Sequence, residues 1–115
     1  MRKIFGTDGA RGIANKEITP ELALKIGVAV GKTFSGNGPI LIGEDTRLSS
    51  EMLRTAIASG IVSAATDATI GFILPTPAVS LLVKNSKNFS AGIVISASHN
   101  PIEYNGIKIF DRTGF

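Results

Sequence analysis

The sequence predicts an α/β domain: a three-layer α/β/α sandwich around a mixed, mostly parallel sheet of about four strands. Two observations predict it. Short apolar runs bounded by turn residues alternate with longer stretches of helical periodicity, the pattern of strands joined by crossover helices. Thirteen Gly and five Pro punctuate the 115 residues at short intervals, and a chain of this length builds one core and not two.

Phe5-Gly6-Thr7-Asp8-Gly9-Ala10-Arg11-Gly12 is too rich in glycine for a helix or a central strand and reads as a loop. Thr19-Pro20-Glu21 is a helix start. Thr caps, Pro suits the first helical position, and the acid faces the positive end of the helix dipole. This helix is expected to run to about Phe34, with Leu22, Ile26 and Val30 on one face, and Ser35-Gly36-Asn37-Gly38 ends it. Pro39-Ile40-Leu41-Ile42-Gly43 reads as a buried strand. After the loop Asp45 to Ser49, Ser49 or Ser50 is the expected cap of a second helix carrying Leu53, Ile57, Ile61 and Ala64 on one stripe. Thr69 to Leu74 is the next strand. Thr76-Pro77 repeats the cap-then-proline start and opens a short third helix through Leu81, Leu82 and Val83. Ala91 to Ser96 reads as another buried strand, and Ile107-Lys108-Ile109-Phe110 alternates as an edge or antiparallel strand does.

Composition narrows the function. Apolar residues make up 43% and charged residues 18%, which suits a folded globular domain. No apolar run approaches the roughly 18 residues that span a bilayer, and Met1 to Gly6 lacks the apolar stretch of a secretory signal. No membrane partner is expected, and the cytoplasm is the expected compartment. Without Cys there is no disulfide framework and no thiol chemistry. The net charge of +3 comes without a Lys/Arg cluster. It suits a small anionic ligand, and no nucleic-acid partner is expected.

Ligand sites in open α/β sheets lie in loops beyond the carboxyl ends of strands. Three polar loops fall there: Glu44 to Ser49, Pro75 to Pro77, and Ser96 to Asn105. The most informative stretch is Ser96-Ala97-Ser98-His99-Asn100-Pro101, where a buried strand ends in two hydroxyls, an imidazole and an amide. Pro101 biases Asn100 towards extended backbone, so the turn is rigid enough to present a group at fixed geometry. An ordinary strand-to-turn exit is the plainer alternative. A Ser/His hydrolase is disfavoured, because adjacent side chains in extended backbone point to opposite sides, and the G-x-S-x-G elbow is absent. Arg11 has the fork that grips phosphate oxygens, and Lys108 supplies a point charge.

Ile95 to Pro101, followed by Asn105-Gly106-Ile107-Lys108, resembles the phosphoserine loop of the α-D-phosphohexomutase family. Phe5 to Gly12 is similar to that family's N-terminal signature, particularly in its phosphoglucosamine branch. Gly43-Glu44-Asp45-Thr46-Arg47-Leu48-Ser49 resembles its third recurrent stretch. The three stretches stand in the family's order and span nearly the whole chain.

The resemblance implies that Ser98 carries a phosphoryl group and donates it to a hexose phosphate. The hexose bisphosphate so formed turns over in the site and returns its other phosphoryl. The expected pair is glucosamine 6-phosphate and glucosamine 1-phosphate, with a phosphomannomutase or phosphoglucomutase as the alternative. Arg11 and Lys108 match positions of charge stabilisation and proton transfer, and His99 and Asn100 match phosphate contacts. Thr7, Asp8 and Arg47 are expected to touch phosphate or substrate. Alternatively, Asp8 holds Arg11 in an ion pair, while Arg47 pairs with Asp45 or binds carbonyls near the loop.

The resemblance also implies Mg²⁺, bound through the phosphoserine and three aspartates of a following domain. No D-x-D-x-D cluster occurs in the 115 residues, so Ser98, through its phosphate, is the expected metal ligand here. The family has four domains, and residues 1–115 read as the first, with the missing C-terminal domains as its partners. Alone it is expected to be inactive, to hold no tight Mg²⁺, and to form a homodimer or edge-paired assemblies, Ile107 to Phe110 offering the open edge. The rival from another class is a non-catalytic sugar-phosphate-binding module.

Overall fold

Thr19 Oγ1 accepts a hydrogen bond from the Leu22 N–H at 3.1 Å, so the first helix, α1 (Pro20–Thr33), begins where its cap and proline place it. The computed structural model describes residues 10–97, 101 and 103–112, with Ala10 and Arg11 described by backbone alone. Five strands and three helices form among these residues, in the order β1 (Ala10–Ile13), α1, β2 (Ile40–Glu44), α2 (Leu48–Ser63), β3 (Ala68–Ile73), α3 (Thr76–Asn85), β4 (Ala91–Ile95) and β5 (Tyr104–Phe110).

The sheet runs β1-β5-β4-β2-β3. β2 pairs in parallel with β3 and β4, whereas β5 is antiparallel to both β4 and β1. Helices cover both faces. Ile26 and Val30 of α1 and Leu53, Ile57 and Ile61 of α2 pack on Ile40, Ile42, Ile93, Ile95 and Ile107. On the other face Val79 and Val83 of α3 pack on Leu41, Val94 and Phe110. The three-layer α/β/α class is as expected.

Four details depart from expectation. The sheet has five strands, not about four, because residues 10–13 of the glycine-rich opening pair with residues 104–107 as β1. For the same reason Ile107 to Phe110 lies inside the sheet, and its edges are β1 and β3. Neither Ser49 nor Ser50 caps α2: Arg47 is the cap residue and makes no side-chain capping bond. Thr76 likewise lies inside α3, capped by Pro75 without a side-chain bond. Apart from these four, α3 runs through Leu81, Leu82 and Val83 as expected, with Val79 and Val83 as its buried stripe and Leu81 and Leu82 facing outward.

Candidate functional site

The parallel strands reverse their winding between β2 and β4. From β2 the chain crosses through α2 to β3 on one side, then returns through α3 to β4 on the other. α2 follows β2 and α3 follows β3, and the two helices lie on opposite faces, so the loops leaving β2 and β3 diverge and open a crevice at the strands' carboxyl ends. This is where ligands bind in doubly wound sheets. Here the cleft has a volume of about 230 Å³. Its walls come from all three polar loops: Glu44, Asp45 and Thr46 after β2, Leu74 to Thr76 after β3, and Ser96 after β4.

Asp45 and Arg47 organise one wall. Asp45 Oδ1 accepts from the Arg47 N–H at 3.1 Å, and Oδ2 accepts from Arg47 Nε at 2.9 Å. Ser50 donates from Oγ to Asp45 Oδ1 at 2.6 Å. Arg47 Nη1 reaches across to the carbonyls of Pro101 (2.6 Å) and Tyr104 (3.1 Å). Partial burial pushes the Asp45 carboxyl up, but the hydrogen bonds from Ser50 and Arg47 and the guanidinium charge outweigh it and hold the group below its ordinary value. Beneath the pair, Asn105 is fully buried. Its Nδ2 donates to the hydroxyls of Ser49 (2.8 Å) and Ser50 (3.0 Å), and its Oδ1 accepts from the Gly106 N–H at 2.9 Å.

On the floor of the cleft Glu44 is almost fully buried and accepts from Arg54 Nη1 at 2.6 Å. Arg54 also lies over the Phe72 ring, 5.1 Å from its centroid. Both groups are thereby committed to the fold, which agrees with their position behind the crevice rather than at its mouth.

The sequence-predicted residues fall into three groups. Arg47 is placed at the cleft, bonded to Asp45 and to the stem of the following loop. Lys108 stands on β5 opposite Val94, near the carboxyl end of β4. Arg11 occupies the β1 position opposite Gly106, two residues before Lys108, so the register brings the two cations onto neighbouring strands. Thr7, Asp8, Ser98, His99 and Asn100 lie outside the described residues; of the residues that flank the last three in the chain, Ala97 is buried and Pro101 is exposed. Among the described residues no three His, Cys, Asp or Glu side chains come together as a metal site would require. Sequence reasoning did not single out Asn105 and Ser50. The available signal was an Asn-Gly pair at a strand start, where a buried amide must find partners.

Residues 2–115 match the model of the phosphoglucomutase/phosphomannomutase alpha/beta/alpha domain I. The chain belongs to this family. Among curated relatives it is 53% identical over 118 residues to the phosphoglucosamine mutase of Clostridium kluyveri and 56% identical over 114 residues to that of Prochlorococcus marinus strain MIT 9515. These alignments cover 100% and 99% of the chain but only 26% and 25% of the relatives, so it spans about a quarter of their length. Among solved structures it is similar to a phosphoglucomutase/phosphomannomutase family protein from Burkholderia thailandensis. The TM-score there is 0.82 at 31% identity, covering 96% of this chain and 26% of that one. A phosphomannomutase structure from Thermus thermophilus gives a TM-score of 0.79 at 30% identity. Among the described residues no helix is long and apolar enough to cross a membrane.

Proposed function

We propose that residues 1–115 form the first domain of a longer phosphohexomutase, whose reaction is the interconversion of glucosamine 6-phosphate and glucosamine 1-phosphate in the cytoplasm. The observation that carries the reading is the identity of more than half of the residues, over the whole chain, with proteins named phosphoglucosamine mutase. The crevice at the carboxyl ends of the strands, lined by residues of two of the three motif stretches, Glu44 to Thr46 and Ser96, supports it.

In this reading Ser98 carries the phosphoryl group. A sugar hydroxyl oxygen attacks phosphorus, the bond from phosphorus to Ser98 Oγ breaks, and the hydroxyl proton passes to a base. The resulting hexose bisphosphate turns over in the cleft and gives its other phosphoryl back to Ser98, so atoms balance over the cycle. Phosphoryl transfer depends on positioning and on neutralising the equatorial oxygens. Arg11 supplies a fork for those oxygens and Lys108 a point charge or proton carrier on the adjacent strand. Thr7, Asp8, His99 and Asn100 contact phosphate or substrate.

The residues of this chain fit Mg²⁺ only in part: the Ser98 phosphate offers one hard oxygen ligand, and the described residues hold no further cluster. When bound, the ion neutralises charge on the transferring group. Its remaining ligands belong to the rest of the polypeptide.

Peptide mass analysis of the full-length protein should find phosphate on Ser98, and Ser98→Ala should lose at least 1,000-fold in turnover, the scale of losing the reacting group itself (on the order of 10³ or more). Phosphate on Ser96, with Ser98→Ala still fully active, would overturn the assignment. Turnover of mannose or glucose phosphates above glucosamine phosphate would move the protein to another branch of the family.

A further inference from the structure

We propose that Asn105 is a positioning residue for phosphoryl transfer, acting through Ser50, Asp45 and Arg47 to fix both stems of the loop that carries Ser98. The proposal rests on the mutase reading above.

The four side chains form a closed circuit. Asn105 donates to Ser50, Ser50 donates to Asp45, Asp45 accepts Arg47, and Arg47 Nη1 forks onto the carbonyls of Pro101 and Tyr104, the residue that precedes Asn105. Asn105 is 0% and Ser50 0% exposed, so bulk water cannot substitute for a lost partner, and each bond polarises the next. The other stem is tied to the same frame. The Asp45 N–H donates to the Ile95 carbonyl, and the Ser96 N–H donates to the Gly106 carbonyl, both at 3.0 Å. Ala97 behind them is fully buried.

Only three residues separate Ala97 from Pro101. Asn105 and Ser50 do not line the cleft. Their effect on chemistry therefore passes through geometry, not contact, and in-line transfer is sensitive to displacements of an ångström.

The test uses the full-length protein, with glucosamine 6-phosphate as substrate and a hexose 1,6-bisphosphate as primer. Asn105→Ala should lower kcat about 10- to 100-fold with KM within about twofold, and amide exchange in the 101–106 peptide should rise about tenfold, as expected when a stem's local opening becomes easier. Ser50→Ala breaks the same circuit one bond further on. The loss in the double variant should be no greater than in the stronger single one, as for residues acting as a unit. Where Asn105→Ala folds poorly, Arg47→Lys serves instead. It keeps the charge but not the fork, and should show the same split of kcat from KM.

A fall in melting temperature with unchanged kcat per folded molecule would overturn the proposal, leaving Asn105 as a structural residue. So would unchanged exchange in the 101–106 peptide. If the wild-type protein carries phosphate on Ser98 and turns over while Asn105→Ala matches it, the brace fails and the mutase reading stands. If the wild type carries no phosphate on Ser98 and has no turnover, the mutase reading fails and the catalytic role of Asn105 falls with it.

Discussion

At the scale of single residues, the Asp45–Arg47 pair shows how a short motif commits a charge. Spacing of two allows Asp45 to accept both the Arg47 backbone N–H and its guanidinium, an Asx turn closed by an ion pair. Because the folded carboxyl lies below its ordinary value of about 3.9, Asp45 favours folding more once it is ionised. That contribution is complete above the unfolded value and is lost as pH falls through the lower, folded value. Asp45→Asn should therefore lower stability near neutral pH and flatten the acid limb below about pH 4. Denaturant midpoints from pH 7 down to 2 would check this, and an unchanged acid limb would show that the pair does not matter to folding. The pairing was legible in the sequence as one of three options for Arg47, and the structure combines it with another, the bonds to the Pro101 and Tyr104 carbonyls. The Asn105–Ser50 link was not, since hydrogen bonds between residues so distant in sequence depend on which strand lies beside which helix.

At the scale of elements, α1 and α2 touch along glycines. A methyl group at Gly60 would collide with the carbonyl oxygen of Leu24 and come within 2.7 Å of the Val28 nitrogen, and one at Gly27 would meet the Ile57 carbonyl. Gly→Ala in an exposed helix interior usually stabilises by about 1 kcal/mol. Here the sign should reverse, because backbone cannot yield as a side-chain tip does. Gly60→Ala is expected to destabilise by about 1–3 kcal/mol, measured by chemical unfolding, and a gain in stability would mean that the helices can separate cheaply. Helix positions were the most readable part of the chain, since caps and four-residue spacing are local. Strand order was not: nothing local says that Ala10-Arg11-Gly12-Ile13 extends a sheet, because its partner lies at the opposite end of the described chain. Leu81 and Leu82 lie in the expected helix, but which face they take was not legible for a related reason. A run of three apolar residues in a helix does not say which of them the sheet will cover.

At the scale of the whole molecule, the sheet is open at both ends. β3 exposes Phe72 and Ile73, each more than half accessible, beside the equally exposed Val62 of α2. Phe72 adopts a left-handed φ of 56°, and the β2–β3 register shifts between Ile42 and Gly43, so this edge is kinked, which hinders indefinite pairing. The isolated chain should form concentration-dependent dimers rather than long assemblies. Light scattering at millimolar concentration tests this, and a strict monomer would show that the exposed apolar residues are tolerated singly. The same chain should show no mutase turnover, because one wall of a cleft cannot bind a transition state differentially. A coupled assay with each hexose phosphate would detect it. The likeness to proteins about four times its length was visible in three motifs, whereas the meeting of Glu44 to Thr46 with Ser96 at one cleft needed the sheet.

The placement of β5 between β4 and β1 has a consequence in time. Among the described strands, β1 is made before the others but pairs only with β5, the last of them in chain order, since Ala10 pairs with Ile107 and Ile13 with Tyr104. Contacts of such sequence separation carry the largest loop-closure cost in the sheet and are expected to close after the α1–α2 packing and the β2–β4 crossovers. Arg11 and Lys108 ride on those two strands. The two cations therefore come onto neighbouring strands only when the most sequence-distant pairing of the sheet closes.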